Sequence, residues 1–309
     1  MIYSITLNPA LDLELRVEAI RFDQVLRADR SRVDCGGKGF NIARALAELG
    51  ERSLALGLVG GKTGERLVEE LTRLGIETDL DWIQGETRTN IAIVTPQEGV
   101  YIKVNQPGPE VSLAEVQHLL EKVSRLAQPG DLWVLSGSLP PGAPLDTYRR
   151  MIHVIQAAGG KALVDADGEN LRQACAAAPY LVKPNALEAG RYFGMEVGSI
   201  ELAVIAVRRF HASGVRLAMI TLGAEGAVLS DGENTWLATP PVISIGSAIG
   251  AGDASLAGFV WGISQGVSLP EALRLGVASG TAAASLPGTA VADRALLEQV
   301  ASQVVVTKL

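Results

Sequence analysis

Gly36-Gly37-Lys38-Gly39 runs into Phe40-Asn41-Ile42-Ala43-Arg44-Ala45-Leu46-Ala47-Glu48-Leu49, and beyond Gly50 the chain continues as Ser53-Leu54-Ala55-Leu56-Gly57-Leu58-Val59. Ile42, Ala45, Leu46 and Leu49 recur at helical intervals, and Gly50 is a helix stop. Ser53–Val59 is a continuous apolar run of strand length, and Gly64–Leu74 again has helical character. Strand and helix in alternation require crossover connections, hence a mostly parallel sheet. Upstream, Ile2–Leu7 is a first strand, closed by the turn chemistry of Asn8-Pro9.

Downstream the rhythm is interrupted. Asn90–Thr95 and Val100–Val104 alternate like half-buried strands around a turn-forming stretch. With Leu11–Val17 and part of Val25–Val33 they can build a small sheet outside the main core, one face free to cover a ligand or meet a partner. The rhythm then resumes: Leu113–Leu126 as helix, Leu132–Ser136 as strand, Tyr148–Ala158 as helix, Lys161–Asp165 as strand. Tyr180–Lys183 reads as strand, Leu187–Phe193 and Ala203–Ser213 as helices, and Leu217–Thr221 as strand. Val228–Ser230 and Thr235–Ala238 form a hairpin around Asp231-Gly232, and Gly252–Gly266 and Leu269–Ala284 are helical. No internal repeat or low-complexity tract is evident, so one α/β domain with a small β appendage is expected.

The 309 residues are 48% hydrophobic, enough for a large core, and only 5% aromatic, so aliphatic side chains must supply most of the packing. Thirty-four acidic against 27 basic residues give a net charge of -7, which speaks against a broad nucleic-acid surface but leaves room for a small basic pocket. Cys35 and Cys175 form neither a CxxC pair nor a metal cluster. Met1–Asp12 lacks the basic and apolar pattern of an export segment, and no stretch has the length and apolarity of a membrane span. A cytoplasmic protein is expected.

The sharpest chemical signal is Ser247-Ala248-Ile249-Gly250-Ala251-Gly252-Asp253-Ala254. Its glycines permit close approach of backbone to ligand, and if they open a helix their amides favour an anion. Asp253 beside them is placed to orient or deprotonate an attacking hydroxyl, the arrangement phosphoryl transfer needs. The competing reading is an Asp near a helix N-cap behind flexible glycines. In Gly36–Arg44, Gly36 and Gly37 can bring backbone close to a polyhydroxylated ligand, Asn41 can donate and accept, and Lys38 can contact phosphate; an exposed turn reads equally well. Asp12 can hold two sugar hydroxyls, or simply be solvated at a strand edge.

In Lys183-Pro184-Asn185-Ala186-Leu187-Glu188, Asn185 and Glu188 can face one metal-bound water network; alternatively Asn185 caps a helix with Glu188 in its first turn. Thr221-Leu222-Gly223-Ala224-Glu225-Gly226 is a glycine-rich strand exit fit for nucleotide, or a tight turn. Gly57–Thr63 resembles a phosphate loop, but the register would need glycine where Leu56 stands, and no spaced GxGxxG joins an early strand to a helix. Walker-type and standard dinucleotide-binding readings are rejected. His118, His153 and His211 are dispersed, and Trp133 and Trp261 read as packing residues.

Taken together, these motifs, from Asn8-Pro9-Ala10-Leu11-Asp12 through Gly36–Arg44 to Gly250–Asp253, resemble the ribokinase-like PfkB sugar-kinase family over essentially the whole chain. The resemblance implies one kinase domain, 1–309, with a three-layer α/β core, a mostly parallel sheet, and a small β lid from segments within about 11–35 and 87–105 that often contributes to a homodimer. It also implies ATP and Mg²⁺. Thr87-Arg88-Thr89-Asn90 and Lys103-Val104-Asn105-Gln106-Pro107-Gly108 narrow the likeness to the phosphofructokinase and tagatose-phosphate kinase group, whose acceptors are phosphorylated ketohexoses.

By that resemblance Asp12, Gly36, Gly37 and Asn41 contact the sugar, and Arg27, Lys38, Arg88 and Lys103 surround its phosphate. Ser138, in Ser136-Gly137-Ser138-Leu139-Pro140, faces the substrate. Lys183, Asn185, Thr221, Gly223 and Gly226 serve the nucleotide, with Asn185 and Glu188 on the magnesium network through water, since Mg²⁺ retains aqua ligands. Asp253 corresponds to the catalytic base, with Gly250, Ala251 and Gly252 supplying amides. Gln106 stands where relatives acting on fructose 1-phosphate often have Glu, and Ser247-Ala248-Ile249 is a less usual lead-in. Fructose 1-phosphate is the first expected acceptor; tagatose 6-phosphate, fructose 6-phosphate and a non-enzymatic sugar-phosphate-binding regulator are the alternatives.

Overall fold

The computed structural model describes residues 1–96 and 100–309. Its strands are β1 (Ile2–Thr6), β2 (Ala10–Arg16), β3 (Arg30–Gly36), β4 (Ser53–Val59), β5 (Glu77–Trp82), β6 (Arg88–Val94) and β7 (Tyr101–Val104), then β8 (Leu132–Ser136), β9 (Lys161–Asp165), β10 (Leu181–Val182), β11 (Leu217–Thr221), β12 (Ala227–Ser230), β13 (Thr235–Thr239) and β14 (Val305–Lys308). The helices are α1 (Lys38–Glu48), α2 (Gly61–Arg73), α3 (Leu113–Leu126), α4 (Thr147–Ala157) and α5 (Gly168–Cys175), followed by α6 (Ala186–Phe193), α7 (Ile200–His211), α8 (Ala251–Ser264), α9 (Leu269–Ala284) and α10 (Arg294–Ala301).

Ten strands form the main sheet in the order β14-β13-β12-β11-β10-β9-β8-β1-β4-β5. From β5 across to β11 every pairing is parallel; β12, β13 and β14 are added antiparallel. Alternation of side chains splits each strand between two cores. In β8, Trp133 and Leu135 join the core beneath α3, α4, α5, α6 and α7, whereas Leu132 and Val134 join the opposite core under α1, α8, α9 and α10. This is the expected three-layer arrangement. The indole of Trp133 stacks on Tyr3 with centroids 3.9 Å apart, a packing role as anticipated.

The second sheet has the order β3-β2-β6-β7. Its strands coincide with the alternating segments picked out above, except that β3 starts only at Arg30. Phe22 and Val25, 80% and 86% exposed, lie in irregular backbone before it. The β6–β7 connection includes 97–99, outside the described residues. β5 escapes the hydrophobic pattern because Glu77, Asp79 and Asp81 interrupt it; it is an edge strand, paired to β4, and an edge tolerates charge. The antiparallel β14 and the short α5 and α10 likewise carry little periodic signal.

α8 and α9 pack at backbone distance. A Cβ on Gly258 would lie 2.6 Å from both Leu275 O and Ser279 Cβ, and one on Gly280 would lie 2.9 Å from Ala251 O. These glycines let the two helices approach closely, and the contact at Ala251 fixes the end of α8 that faces the site.

Candidate active site

A cavity of about 510 Å³ opens at the carboxyl ends of the parallel strands, where crossover topology leaves a crevice for ligands in α/β sheets. Thr6, Ser136, Asp165 and Thr221 end β1, β8, β9 and β11 in it, and Lys183 enters just past β10. Lys38 and Asn41 come from α1, and Gly250, Gly252 and Asp253 from the start of α8. The small sheet supplies Asp12, Arg88, Asn90 and Lys103 as the opposing wall, with Asn105 just beyond.

Asp253 is 7% exposed, and its Oδ2 accepts a 2.8 Å hydrogen bond from Asn41 Nδ2. Burial, reinforced by the negative charge of Asp165, pushes its pKa up to about 6, although Lys38, Asn41 and Lys183 pull the other way. Asp253 does not cap its helix. The N-cap is Gly250, held at φ +81°, which favours glycine, and no side-chain cap bond is made. The capping alternative for this motif therefore fails, and the carboxylate faces the cavity.

The segment around Asn185 resolves differently. Asn185 Oδ1 accepts from Glu188 N at 2.9 Å and Glu188 Oε2 accepts from Asn185 N at 2.8 Å, a reciprocal capping box on α6. Both residues also line the cavity, and Glu188 Oε1 lies 3.9 Å from Lys38 Nζ. Among the described residues no group of three or more His, Cys, Asp or Glu side chains is arranged to hold a metal by itself.

Asp12 Oδ1 accepts from Asn90 Nδ2 at 2.8 Å, and a Cβ on Gly36 would lie 2.6 Å from that carboxylate, so Gly36 makes room for Asp12 instead of lining the cavity. Arg88 is drawn inward: Nη1 donates to Gln106 O and Nη2 to Asn8 O, each at 2.8 Å, with Nε 3.4 Å from Pro9 O. Much of the fork thus ties backbone together. Gln106 Oε1 accepts from Thr89 N at 2.8 Å, a bond Glu can make equally well, so this departure from the usual residue is structurally neutral. Ser138 Oγ accepts from Asn8 Nδ2 at 3.3 Å.

Arg27 stands apart from this group. It is exposed on the segment before β3, away from the cavity lining. Gly223 and Gly226 are also off the lining: Gly223 opens a 3-10 turn and Gly226 follows it, and a Cβ on Gly226 would meet Ala238 O at 1.9 Å, so that glycine is required by packing on β13. Ala251 is off the lining too, its carbonyl oxygen set against Gly280 of α9. Sequence reasoning passed over Asp165, Thr6, Asn8, Asn90 and Asp167, all on the lining. For all but Asn90, which lies within β6, the available signal was position: polar residues at or just past the carboxyl ends of apolar strands.

A ribokinase-like α/β architecture, with a buried carboxylate at a glycine-rich helix start, is what this fold and cavity define. The sequence model of the pfkB family carbohydrate kinases matches residues 2–295, and the chain belongs to that family. It is 35% identical to a 1-phosphofructokinase of Bacillus subtilis (strain 168), covering 100% of both chains. It is also 35% identical to one of Rhodobacter capsulatus, covering 90% of this chain and 88% of that one. The structure is similar to that of the phosphofructokinase-2 from Escherichia coli in complex with potassium, with a TM-score of 0.93 at 31% identity, covering 97% and 98% of the two chains. No helix among the described residues is long and apolar enough to cross a membrane.

Proposed function

We propose that this carbohydrate kinase transfers the γ-phosphoryl group of ATP to the free primary hydroxyl of fructose 1-phosphate, giving fructose 1,6-bisphosphate and ADP. The observation that carries the transfer reading is Asp253: a buried carboxylate with a raised pKa, at the start of α8, in the cavity between the small sheet and the strand ends. The choice of acceptor is supported by relatives bearing the 1-phosphofructokinase name at 32–37% identity over most of this chain.

Asp12 and Asn41 orient the sugar, and Lys103 and Lys38 attract its phosphate. The guanidinium of Arg88 holds the Asn8–Pro9 turn against the Gln106 loop, keeping these groups in register. Asp253 orients the acceptor hydroxyl and takes its proton as the new O–P bond forms. Amides opening α8 face charge that grows during transfer. Lys183 and Thr221 serve the nucleotide half. Mg²⁺ prefers oxygen donors and retains waters; Asn185 Oδ1 is committed to its cap, so Glu188 Oε1 is the donor that fits, through water, and the ion would neutralise phosphate charge there. The small sheet acts as a lid over the single kinase domain and carries a homodimer contact through its exposed face, in the cytoplasm where ATP is the phosphoryl donor. Light scattering of the fully active protein as a monomer only would exclude an obligatory dimer.

ADP release and phosphorylated product, measured with fructose 1-phosphate, fructose 6-phosphate and tagatose 6-phosphate, test the proposal. The highest kcat/KM is expected for fructose 1-phosphate. Preference for either 6-phosphate would overturn the acceptor and leave the chemistry standing; binding without turnover of any of them would make the protein a sugar-phosphate sensor.

A further inference from the structure

Lys38, on the acceptor side, and Lys183, on the nucleotide side, converge on one carboxylate. Asp165 Oδ1 lies 2.8 Å from Lys38 Nζ and Asp165 Oδ2 lies 3.0 Å from Lys183 Nζ. The side chains of Asp165 and Lys183 are 1% and 4% exposed, that of Lys38 36%. A carboxylate this deep is costly unless paired, and each of its oxygens meets a different ammonium group. Burial opposes its charge, but Lys183 and Lys38 overcome that and hold its pKa below the usual carboxylate value. Burial likewise opposes the charge on Lys38, and Asp165, Glu188 and Asp253 together outweigh it.

The two lysines arrive from separate elements, Lys38 opening α1 and Lys183 leaving β10. A lysine stem is long and flexible, and nothing in its own backbone fixes where the charge sits. We propose that Asp165 is a positioning residue for phosphoryl transfer: its single carboxylate ties Lys38 and Lys183 at a fixed separation around Asp253, joining the acceptor and nucleotide halves of the site. Because both oxygens are engaged by lysines, the geometry makes Asp165 an anchor for cations of the chain itself. The inference rests on the kinase reading above. It carries a second consequence, since the negative charge of Asp165 also opposes ionisation of Asp253.

Asp165→Asn in the full-length chain tests this against the acceptor selected by the sugar panel. Misplacing the two lysines should lower kcat about 10²-fold, as expected for loss of orientation, with both KM values within about 3-fold of wild type. The acid limb of the kcat/KM profile should move to lower pH, because a negative neighbour is lost and two positive charges are uncovered, both favouring ionised Asp253. A merely structural Asp165 would reduce the folded fraction without moving that limb. An unchanged kcat or an unmoved limb overturns the proposal, as does full recovery at excess Mg²⁺, which would make Asp165 a metal-network residue. Should the Asn variant not fold, Asp165→Glu keeps the charge and displaces it by one methylene: kcat should fall about 10-fold while the acid limb stays, and wild-type kcat there overturns the proposal. A wild-type chain that turns over none of the three sugars overturns both the functional reading and this inference.

Discussion

Asp253→Asn should sharply lower turnover and stabilise the fold at the same time. The folded-state pKa of Asp253 stands at about 6 against an ordinary 3.8, because burial and Asp165 oppose its charge. Two units at 1.36 kcal/mol each correspond to roughly 3 kcal/mol of destabilisation when the group is ionised. The sign follows from proton binding. Well below pH 3.8 both folded and unfolded chains are protonated at this residue, and it contributes nothing. Between about pH 4 and 6 the folded chain binds the proton more tightly, so wild-type stability falls as pH rises; above pH 6 the full penalty is present. Asn has no such titration and still accepts from Asn41. Urea melts of the two proteins should therefore agree near pH 3.5 and diverge to a plateau of up to about 3 kcal/mol in favour of the variant by pH 7–8. Its kcat should fall at least ~10²-fold with folding and ligand binding retained. A stability difference that is absent at pH 8, or the same at every pH, refutes the reasoning about burial. Near-normal kcat with correct product refutes the base.

Glu188→Gln retains a side chain able to complete the α6 capping box, so melting should change by under about 1 kcal/mol while the Mg²⁺ titration of activity shifts to higher concentration; an unshifted titration leaves Glu188 as a cap alone. Arg88→Ala removes the donor to the carbonyls of Asn8 and Gln106, and should both raise the sugar-phosphate KM strongly and lower stability by about 2 kcal/mol in urea melts; a KM effect with unchanged stability would show that Arg88 reads the phosphate without organising the wall. Gly258→Ala forces a methyl against Leu275 O and Ser279 Cβ at 2.6 Å and should cost about 1–3 kcal/mol, measured by the same melts. It should also depress kcat, because α8 carries Asp253; normal kcat would mean that the helix start does not follow its packing.

The layered α/β core, most of its elements and the four segments of the small sheet were legible in the sequence because each is a local pattern: apolar runs of strand length, 3.6-residue periodicity, and glycine or Asx chemistry at turns. The same holds for the two glycine-rich stretches around Asn41 and Asp253, where backbone requirements are written into neighbouring residues. What β5 and β14 do was not legible, since an edge strand needs only one partner and tolerates charges that hide its pattern. The roles of individual polar residues were decided only by tertiary contacts. Asn185 and Glu188 had two possible readings until the capping box closed, and the fork of Arg88 read as a phosphate clamp until it met the carbonyls of Asn8 and Gln106, distant in sequence. Asp165 looked like the last residue of an apolar strand; its importance comes from Lys38, 127 residues earlier, and from Lys183 on the neighbouring strand exit. Asp253 could be recognised from its own octapeptide, but its raised pKa could not, because burial and the charge of Asp165 are created by the fold. Local sequence sets which backbone shapes are affordable to form, whereas charge, burial and partner choice depend on distances between segments that only the assembled sheet defines.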